Sequence, residues 1–268
     1  MIEPGQIVGA YSIGALLAEG AMARVFEARG AGGAPVVVKV LKPVPAPAGK
    51  DGIDTLGAKR FAREAHLGRV LSHGGLARMV DHGPDWIAFE RLSVGLADAT
   101  IRAVYAEPGR AAWLLAQLAQ ALAFLHSRGV VHRDVKPSHV LWRGEAVPVL
   151  VDLGIAGLTA EDPLEGAEIV GSPAWMAPEQ AAGALPAPAA DVWSLCALGH
   201  WLVTGKTLFT GSADAVLAAR QAGSLPAFDG SGFPVGAAPL RALLEAGLAT
   251  DPAQRPALRD FLESSRLP

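Results

Sequence analysis

A short polar segment, HRDVKPS (132–138), holds the residues of this chain that are best suited to chemistry. Asp134 stands two residues before Lys136, and Pro137 stiffens the loop that follows. Eighteen residues after Asp134, the apolar run VLV delivers Asp152 into a glycine turn. One carboxylate can accept a hydroxyl proton, the lysine can offset negative charge, and the second carboxylate can hold a metal. This combination indicates phosphoryl transfer, because an ordinary charged loop would have to produce all of these features by coincidence.

Three further candidates precede this segment, and each is weaker on its own. LAEGAMARVF (17–26) has Gly20 at the tip of a predicted turn, which an ordinary hairpin would also show. Lys39 stands in the strand-like run VVVKV, where a lysine that faces solvent on an edge strand is the simpler interpretation. Glu64 lies in the helix-like segment RFAREAHLGR, where it could be a surface charge. These residues gain meaning only from the order in which they precede Asp134.

The composition excludes several classes of function. The chain has 268 residues, 51% of them apolar, so it is long enough for one large domain or two closely associated lobes. Its formal net charge of −3 gives no electrostatic basis for binding nucleic acid or an anionic membrane. The single cysteine, Cys196, permits no intrachain disulfide and fits a reducing compartment. Because it lies in an apolar stretch, we expect a buried structural thiol.

The sequence shows no signal for export or for a membrane. The start, MIEPGQIVGAYS, lacks the basic residues and the continuous apolar core of a signal peptide. The most apolar helix-like stretch, AAWLLAQLAQALAFLH (111–126), carries Gln117, Gln120 and His126 and is shorter than the roughly 20 residues of a membrane span. We therefore expect a soluble, cytoplasmic protein without a nucleic-acid or membrane partner.

The elements that must position these residues change character near residue 95. Before it, alternating or β-branched segments predict a small antiparallel sheet with one helix. The predicted strands are YSIGALLAEG (11–20), ARVFEARG (23–30), PVVVKVLK (35–42), LARMVDHG (76–83) and WIAFERL (86–92). A flexible loop is predicted at 43–52, and the helix at 56–73.

After residue 95 the apolar residues recur at helical spacing. Helices are predicted at 109–129, 190–205, 213–223, 239–249 and 257–265. The Gly- and Pro-rich stretch 130–188 is predicted to be irregular, with two short apolar strands. Loops of this length in a compact chain are usually functional.

In their order along the chain, these motifs resemble those of the eukaryotic-type (Hanks-type) protein kinase family, which includes bacterial serine/threonine kinases. LAEGAMARVF stands at the position of the glycine-rich loop, and Lys39 and Glu64 at those of the phosphate-anchoring lysine and its helix partner. HRDVKPSH is similar to the catalytic loop, DLG to the metal-binding turn and GSPAWMAPEQ to the end of the activation segment. DVWSL provides Asp191, which in the family braces the catalytic loop, and DPAQRP provides Arg255, which pairs with Glu179. The resemblance covers nearly the whole chain.

The resemblance implies the α+β, bilobal fold of protein kinases. A single kinase-like domain would extend over residues 1–268. Its N-lobe, at about 1–92, would be a small antiparallel sheet with one main helix, and its C-lobe, at about 93–268, would be larger and mainly helical. The implied activity is ATP-dependent phosphoryl transfer to serine or threonine hydroxyls of proteins. Lys136 in HRDVKPS is the arrangement of the serine/threonine kinases.

The same resemblance implies a catalytic role for four residues. Asp134 would orient and deprotonate the acceptor hydroxyl, and Lys136 would offset charge on the γ-phosphate. Lys39, held by Glu64, would contact the α- and β-phosphates of ATP.

The ATP and metal sites also follow from the resemblance. Asp152, together with His139, would bind Mg²⁺ or Mn²⁺. Phe89 stands at the gatekeeper position that precedes the hinge segment. The residues implied to bind ATP are Ala18, Gly20, Val25, Val37, Lys39, Phe89, Glu90 and Leu92. We expect ATP near residues 89–95.

Four positions depart from the family pattern. His139 replaces the asparagine that is the second metal ligand, and imidazole is a poor ligand for magnesium. Ala18 and Ala23 replace two glycines of the loop, and Val37 replaces a small alanine above adenine. These changes leave open a serine/threonine kinase with weak or manganese-preferring turnover, and a pseudokinase that binds a partner or nucleotide.

A small-molecule kinase is a third possibility. The APE motif, Asp191 and Arg255 argue against it, because they build the platform for protein substrates.

The activation segment suggests how activity would be regulated. Between Asp152 and Glu179 the only hydroxyl residues are Thr159 and Ser172, and Ser172 matches the hydroxyl that contacts Asp134 and Lys136. The segment also carries carboxylates that could pair with Arg133 in place of a phosphate, although a solvated acidic loop is an equal alternative. These carboxylates are Glu161, Asp162, Glu165 and Glu168. We expect activity without phosphorylation of this loop, and regulation by a partner protein.

Overall fold

The strand-forming segments of the N-terminal part make one antiparallel sheet. The computed structural model describes residues 2–43, 56–159, 171–222, 224, 228–234 and 236–264. Its six strands are Ile7–Val8 (β1), Tyr11–Glu19 (β2), Ala23–Arg29 (β3), Pro35–Leu41 (β4), Met79–His82 (β5) and Trp86–Glu90 (β6). They pair in the order β1-β2-β3-β4-β6-β5, and every neighbouring pair is antiparallel. The five predicted strands are confirmed, and the short β1 extends the sheet.

Alternation along β4 decides which face of the sheet receives each residue, because successive side chains point to opposite faces. Val36, Val38 and Val40 belong to one apolar cluster. On the other face, helix α1 (Leu56–Val70) contributes to a second cluster. The buried members of that cluster are Ala23, Phe61, Ala65 and Ile87. Lys39 alternates with the valines and therefore faces the side of the sheet that α1 covers.

Contacts divide the chain into two compact units. The first comprises Met1–Ser72, Ala77–Leu92 and Asp152–Gly154, and the second comprises His73–Leu76, Ser93–Val151 and Ile155–Pro268. The sheet and α1 lie in the first unit, and helices dominate the second. This confirms the α+β, two-lobed organisation expected from the sequence.

Seven helices are described in the second unit. They are Ala99–Tyr105 (α2), Pro108–Ser127 (α3), Pro178–Ala181 (α4), Pro188–Thr204 (α5), Ala213–Gln221 (α6), Ala238–Gly247 (α7) and Leu258–Ser264 (α8). Helix α3 contacts α5 and α8, and α5 contacts α7. Helix α3 begins with a proline at its first helical position. The Glu107 carboxylate caps it by accepting from the backbone N–H groups of Gly109 and Arg110. Gly205, with φ 74°, ends α5.

Short strands frame the polar segment that contains Asp134. Val130–Val131 (β7) pairs with Gly157–Leu158 (β10), and Val140–Arg143 (β8) pairs with Val147–Leu150 (β9). The prediction of two strands in 130–188 was therefore wrong in number. Strands of two residues are too short to show alternation, so their pairing is visible only in the fold.

Other differences from the sequence prediction are small. Helices α2 and α4 were not predicted, because segments of seven and four residues are too short to show a helical period clearly. Helix α1 ends at Val70 rather than at residue 73. Most of the loop predicted at 43–52 lies outside the described residues.

Cys196 is free and buried in α5, as expected, and burial raises the pKa of its thiol. Among the described helices, none combines the length and the apolar composition that crossing a membrane requires.

Candidate active site

A buried ion-pair cluster forms around Lys39 in the first unit. The Lys39 Nζ donates to Glu64 Oε1 and Oε2 at 2.9 and 2.8 Å, and to Asp152 Oδ1 at 2.7 Å. The Glu64 side chain is 2% exposed, whereas that of Asp152 is 39% exposed. One ammonium group thus faces two carboxylates, of which Asp152 is the more accessible.

The pKa shifts in this cluster follow from burial and from the charge pattern. Burial alone would lower the pKa of Lys39, but the attraction of Glu64 and Asp152 outweighs it, and the pKa is raised. Burial raises the pKa of Glu64 more than Lys39 lowers it, and the charge on Asp152 adds to the increase. Lys39 therefore stays protonated at neutral pH.

The turn that carries Asp152 depends on Gly154. The Gly154 N–H donates to Asp152 Oδ1 at 3.1 Å, and Asp152 itself has a positive φ of 67°. A Cβ on Gly154 would lie 2.9 Å from Asp152 Oδ1, 3.1 Å from Glu64 Oε2 and 3.3 Å from Lys39 Nζ. No larger residue fits there without displacing the ion-pair cluster.

Sheet register places several of the residues implied to bind ATP on the same face as Lys39. Val25 is directly opposite Lys39 in β3 and β4, and Val37 is opposite Phe89 in β4 and β6. Residues that are directly opposite share a face, as do Val37 and Lys39, which are two positions apart. Ala18 pairs with Val25 at the end of β2. The first unit therefore presents an apolar surface next to a buried ammonium group.

The remaining residues implied to bind ATP lie at the edges of this surface. The Gly20 N–H donates to the Ala23 carbonyl at 2.9 Å in the β2–β3 turn. Glu90 ends β6, and its carboxylate accepts from the backbone N–H of Arg78 at 2.8 Å. Leu92 is buried.

The carboxylate of Asp134 is held from both sides in the second unit. Lys136 Nζ donates to Asp134 Oδ2 at 2.6 Å, and the Ser172 backbone N–H donates to Oδ1 at 3.0 Å. Lys136 Nζ also donates to Ser172 Oγ at 2.7 Å. The sequence assigned the Ser172 hydroxyl to both residues, but in the structure it contacts Lys136 while the backbone of Ser172 contacts Asp134.

Asp191 supports the backbone just before Asp134. This fully buried carboxylate accepts from the backbone N–H groups of His132 and Arg133, each at 2.8 Å, and contacts His126 Nε2 at 2.8 Å. Burial alone would raise the pKa of Asp191, but these hydrogen bonds and the nearby histidines lower it. The carboxylate is therefore ionised at neutral pH and fixes the course of the loop.

Two further contacts involve helix α4, one with the loop that contains Asp134 and one with Arg255. Arg133 has a positive φ of 70°, and its carbonyl accepts from the Gln180 side-chain amide at 3.0 Å. Arg255 donates to the two oxygens of Glu179 at 2.6 and 2.8 Å, which is a bidentate pair with Arg255 almost fully buried. The ion pair that the family resemblance implied is present.

His139, predicted from the resemblance to be the second metal ligand, contacts Asp134 on the same loop. Its Nδ1 lies 2.9 Å from the Asp134 carbonyl oxygen and 3.4 Å from Asp134 Oδ2. Because a carbonyl only accepts, Nδ1 carries a proton, and in the neutral ring the lone pair belongs to Nε2. Metal-binding histidines commonly have this arrangement, in which one ring nitrogen donates to a carbonyl and the other faces the ion.

Comparison with known proteins decides the family. Residues 11–266 match the protein kinase domain family. The chain belongs to this family. Serine/threonine-protein kinase PknA of Mycobacterium tuberculosis is 32% identical over 259 residues, which are 92% of this chain and 58% of that protein. The probable serine/threonine-protein kinase PkwA of Thermomonospora curvata is 32% identical over 234 residues, 84% of this chain and 30% of that protein. Serine/threonine-protein kinase AfsK of Streptomyces coelicolor is 32% identical over 212 residues, 76% of this chain and 26% of that protein.

The kinase domain thus spans between 26% and 58% of the length of these relatives. Its predicted site residues fall into two groups. The first unit holds Ala18, Gly20, Val25, Val37, Lys39, Glu64, Phe89, Glu90, Leu92 and Asp152, and the second holds Asp134, Lys136 and His139. The acidic residues predicted to pair with Arg133 lie outside the described residues.

Sequence reasoning missed three residues of the kinase domain that hold site groups in place. Gly154 was noted only as part of a turn, and its tight fit against three charged side chains is a property of the fold. His126 was noted only as a polar residue in an apolar helix, which was a usable signal for a buried partner. Gln180, in the short α4, carried no signal.

The donor set of the kinase domain fits a divalent ion that binds together with phosphate. Within the described ranges, no three His, Cys, Asp or Glu side chains are gathered as a metal cage. Magnesium in phosphate-transferring sites is usually held by one or two carboxylates together with substrate phosphates rather than by an all-protein cage. The partly exposed Asp152, with its hard oxygens, suits this mode.

Proposed function

We propose that this chain transfers the γ-phosphoryl group of ATP to serine or threonine hydroxyls of proteins. The observation that carries the proposal is the Asp134 carboxylate, which Lys136 and the Ser172 backbone hold at 2.6 and 3.0 Å. A carboxylate fixed in this way can orient a hydroxyl and accept its proton. The relatives named above are serine/threonine kinases by name, which supports the choice of acceptor.

The residues of the second unit would act on the acceptor. Asp134 would take the proton of the substrate hydroxyl while that oxygen bonds to the γ-phosphorus and the bond to the β-phosphate oxygen breaks. Lys136 already donates to both Asp134 and Ser172. It would place a positive charge beside the transferred group, where charge stabilisation is the main source of catalysis.

The residues of the first unit would bind ATP. Lys39, kept protonated and oriented by Glu64, would bind the α- and β-phosphates. The apolar face formed by Val25, Val37 and Phe89 would receive adenine, with Ala18, Gly20, Glu90 and Leu92 around it. Val37 is larger than the alanine of the family pattern, and we therefore propose weaker ATP binding than is usual for the family.

A divalent ion would be held chiefly by Asp152 and would neutralise phosphate charge. We propose His139 as its second ligand, because the proton on Nδ1 leaves Nε2 as the ligating nitrogen. Manganese accepts mixed nitrogen and oxygen ligands better than magnesium does, so this choice predicts a preference for manganese.

A pseudokinase is the second candidate function, and His139 is the observation that favours it. If His139 serves only to hold the Asp134 carbonyl, the kinase domain has one metal-binding side chain fewer than the family pattern. It would then bind nucleotide or a regulatory protein partner without efficient transfer. The intact contacts of Lys39 with Glu64 and of Asp134 with Lys136 favour the enzyme.

One assay tests these proposals. Transfer of labelled phosphate from ATP to a generic protein substrate is measured for the wild type, Asp134→Asn and His139→Asn, in Mg²⁺ and in Mn²⁺. Asp134→Asn should lower kcat by roughly 10²–10⁴, the usual contribution of a general base. Faster wild-type transfer in Mn²⁺, and a shift toward Mg²⁺ in His139→Asn, would support the metal ligand, and identical metal dependence would rule it out. If the wild type binds ATP but transfers no phosphate in either metal, the pseudokinase function is supported.

A further inference from the structure

A buried arginine that is not among the site residues described above contacts the segment that includes Ser172, whose backbone N–H binds Asp134. We name residues 171–177 the platform segment. Arg220 lies in the last turn of α6 and is 5% exposed. Its Nη2 donates to the backbone carbonyl of Met176, in the platform segment. Helix α6 is therefore linked to this segment through one charged hydrogen bond.

The platform segment has anchors along its length. Ser172 contacts Asp134 at one end. In the middle, the Trp175 carbonyl accepts from Ser194 Oγ at 2.8 Å. The next carbonyl, that of Met176, accepts from the guanidinium of α6. A peptide held beside Asp134 would depend on where this backbone lies, so the last anchor bears on substrate binding.

Aromatic rings fix the guanidinium in place. The Arg220 Cζ lies 4.3 Å from the centre of the Phe209 ring and 5.4 Å from that of Trp193. Arg255 lies 5.2 Å from the same Trp193 ring. Cation–π contacts of this kind orient a cation without satisfying its N–H donors.

The position is a costly one for an arginine. Among the described residues, Arg220 Nε and Nη1 are buried and have no hydrogen-bond acceptor. Burial lowers the pKa of Arg220 to about 10, with opposing effects of Glu179 and Arg255, so the group stays charged at neutral pH. A buried charge with unused donors opposes stability. An unbranched apolar side chain would fill this place at lower cost, so fold stability does not explain the arginine.

We propose that Arg220 is a positioning residue for the protein substrate, and that it acts through the Met176 carbonyl to hold the platform segment beside Asp134. The proposal rests on the proposed kinase function. It assigns Arg220 to acceptor binding and not to ATP binding, because none of its described contacts reaches a residue implied to bind ATP.

The test compares Arg220→Met with the wild type. Methionine keeps an unbranched side chain between Phe209 and Trp193 but has no N–H donor. The KM for a protein substrate should rise about tenfold, as expected for the loss of one charged hydrogen bond, while kcat and the KM for ATP stay within about twofold. Arg220→Lys restores a charged donor and should recover part of the loss. Arg128→Met is the matched control, because Arg128 also stacks on a ring, that of Phe124, and is exposed.

A second readout does not need catalysis. The N–H groups of Trp175 and Met176 donate to the Ser172 carbonyl at 2.9 and 3.1 Å, and their hydrogen exchange reports how firmly the platform segment is held. Exchange should be about tenfold faster in Arg220→Met, with thermal stability unchanged or higher. Should this variant not fold, Arg220→Gln, which is too short to reach the Met176 carbonyl, carries both readouts.

The outcomes separate the two proposals. Unchanged exchange together with an unchanged KM for the protein substrate, in a folded variant, would overturn the role of Arg220. If the wild type transfers no phosphate, the kinase function fails, whereas faster exchange in Arg220→Met would still support the anchoring role.

Discussion

Glu64 and Asp191 are both buried carboxylates, one in each unit, yet their pKa values shift in opposite directions. The pKa of Glu64 is raised, although Lys39 binds both of its oxygens. The pKa of Asp191 is lowered, although it is fully buried and its direct partners are two backbone N–H groups and His126. A directly bonded cation is therefore not sufficient to keep the pKa of a buried carboxylate low, since burial raises the pKa of Glu64 more than Lys39 lowers it.

The two carboxylates differ in whether their hydrogen-bond partner also binds a second carboxylate. Lys39 also binds Asp152, so Glu64 shares its cation with a second carboxylate, whose charge opposes ionisation. The groups that lower the pKa of Asp191, which are His126 first and then His132 and the Arg133 N–H, bring no competing anion. Under the proposed function, the first arrangement would suit a lysine that exchanges a carboxylate for phosphates when ATP binds. The second suits a support that does not change during the reaction.

Removing Lys39 should have the largest effect on this contrast. Lys39→Met leaves Glu64 and Asp152 without their shared cation, and breaking a buried ion pair costs about 3–5 kcal/mol of unfolding free energy. Phosphoryl transfer should fall by about a thousandfold, because the phosphate contact is also lost. Urea unfolding and the transfer assay measure the two effects.

The double variant Lys39→Met with Glu64→Gln is the matched control. It removes the unpaired buried charge, so stability should return close to the wild-type value while transfer stays lost. If Lys39→Met alone is as stable as the wild type, the ion pair does not hold the first unit together and the contrast with Asp191 fails.

Asp191→Asn should have the next largest effect. An asparagine offers one oxygen for two backbone N–H groups and turns an amide donor toward one of them. We expect a loss of about 2–3 kcal/mol in unfolding free energy at neutral pH, and slower transfer because Asp134 follows this backbone. Urea unfolding of the variant and the wild type measures the loss.

The loss of unfolding free energy in Asp191→Asn should change with pH in a defined direction. Because folding lowers the pKa of Asp191 from an ordinary value of 3.8, its contribution is fully present above pH 3.8 and disappears as the pH falls through the folded pKa. The difference between the wild type and Asp191→Asn should therefore shrink on acidification. Glu64→Gln should behave in the opposite way, since a raised pKa favours the folded state at low pH and that contribution is lost as the pH rises. Parallel pH profiles for the two variants would contradict the contrast.

The sequence predicted the charged residues of these two clusters better than the contacts that join them. Lys39, Asp134 and Asp152 stand out because a charge interrupts an apolar strand or follows one. Strand and helix periodicity also predicted which elements carry them. The pairing of Lys39 with Asp152 joins residues 113 positions apart, and only the family resemblance suggested that they belong to one reaction.

Contacts that depend on close packing were not predictable. Gly154 is required because three charged atoms would lie within 3.3 Å of a Cβ, and no local pattern records such a distance. Arg133 and Asp152 both adopt positive φ, which is unusual outside glycine and which the loop imposes on them. Arg220 was part of an unremarkable amphipathic helix, and its link to Met176 exists only once α6 is folded against the platform segment.

The smallest predicted effect concerns His126, which supplies one of the hydrogen bonds to Asp191 and none to the loop itself. His126→Phe removes this bond and leaves the two backbone N–H groups in place, so the unfolding free energy should fall by only about 1 kcal/mol. His126→Gln is the control, because its amide nitrogen can take the place of His126 Nε2, 2.8 Å from Asp191 Oδ2. Stability should then recover, and kcat should stay near the wild-type value in both variants. If His126→Phe costs as much as Asp191→Asn, the histidine and not the backbone stabilises the buried carboxylate, and Asp191 then resembles Glu64 in depending on a single side-chain partner.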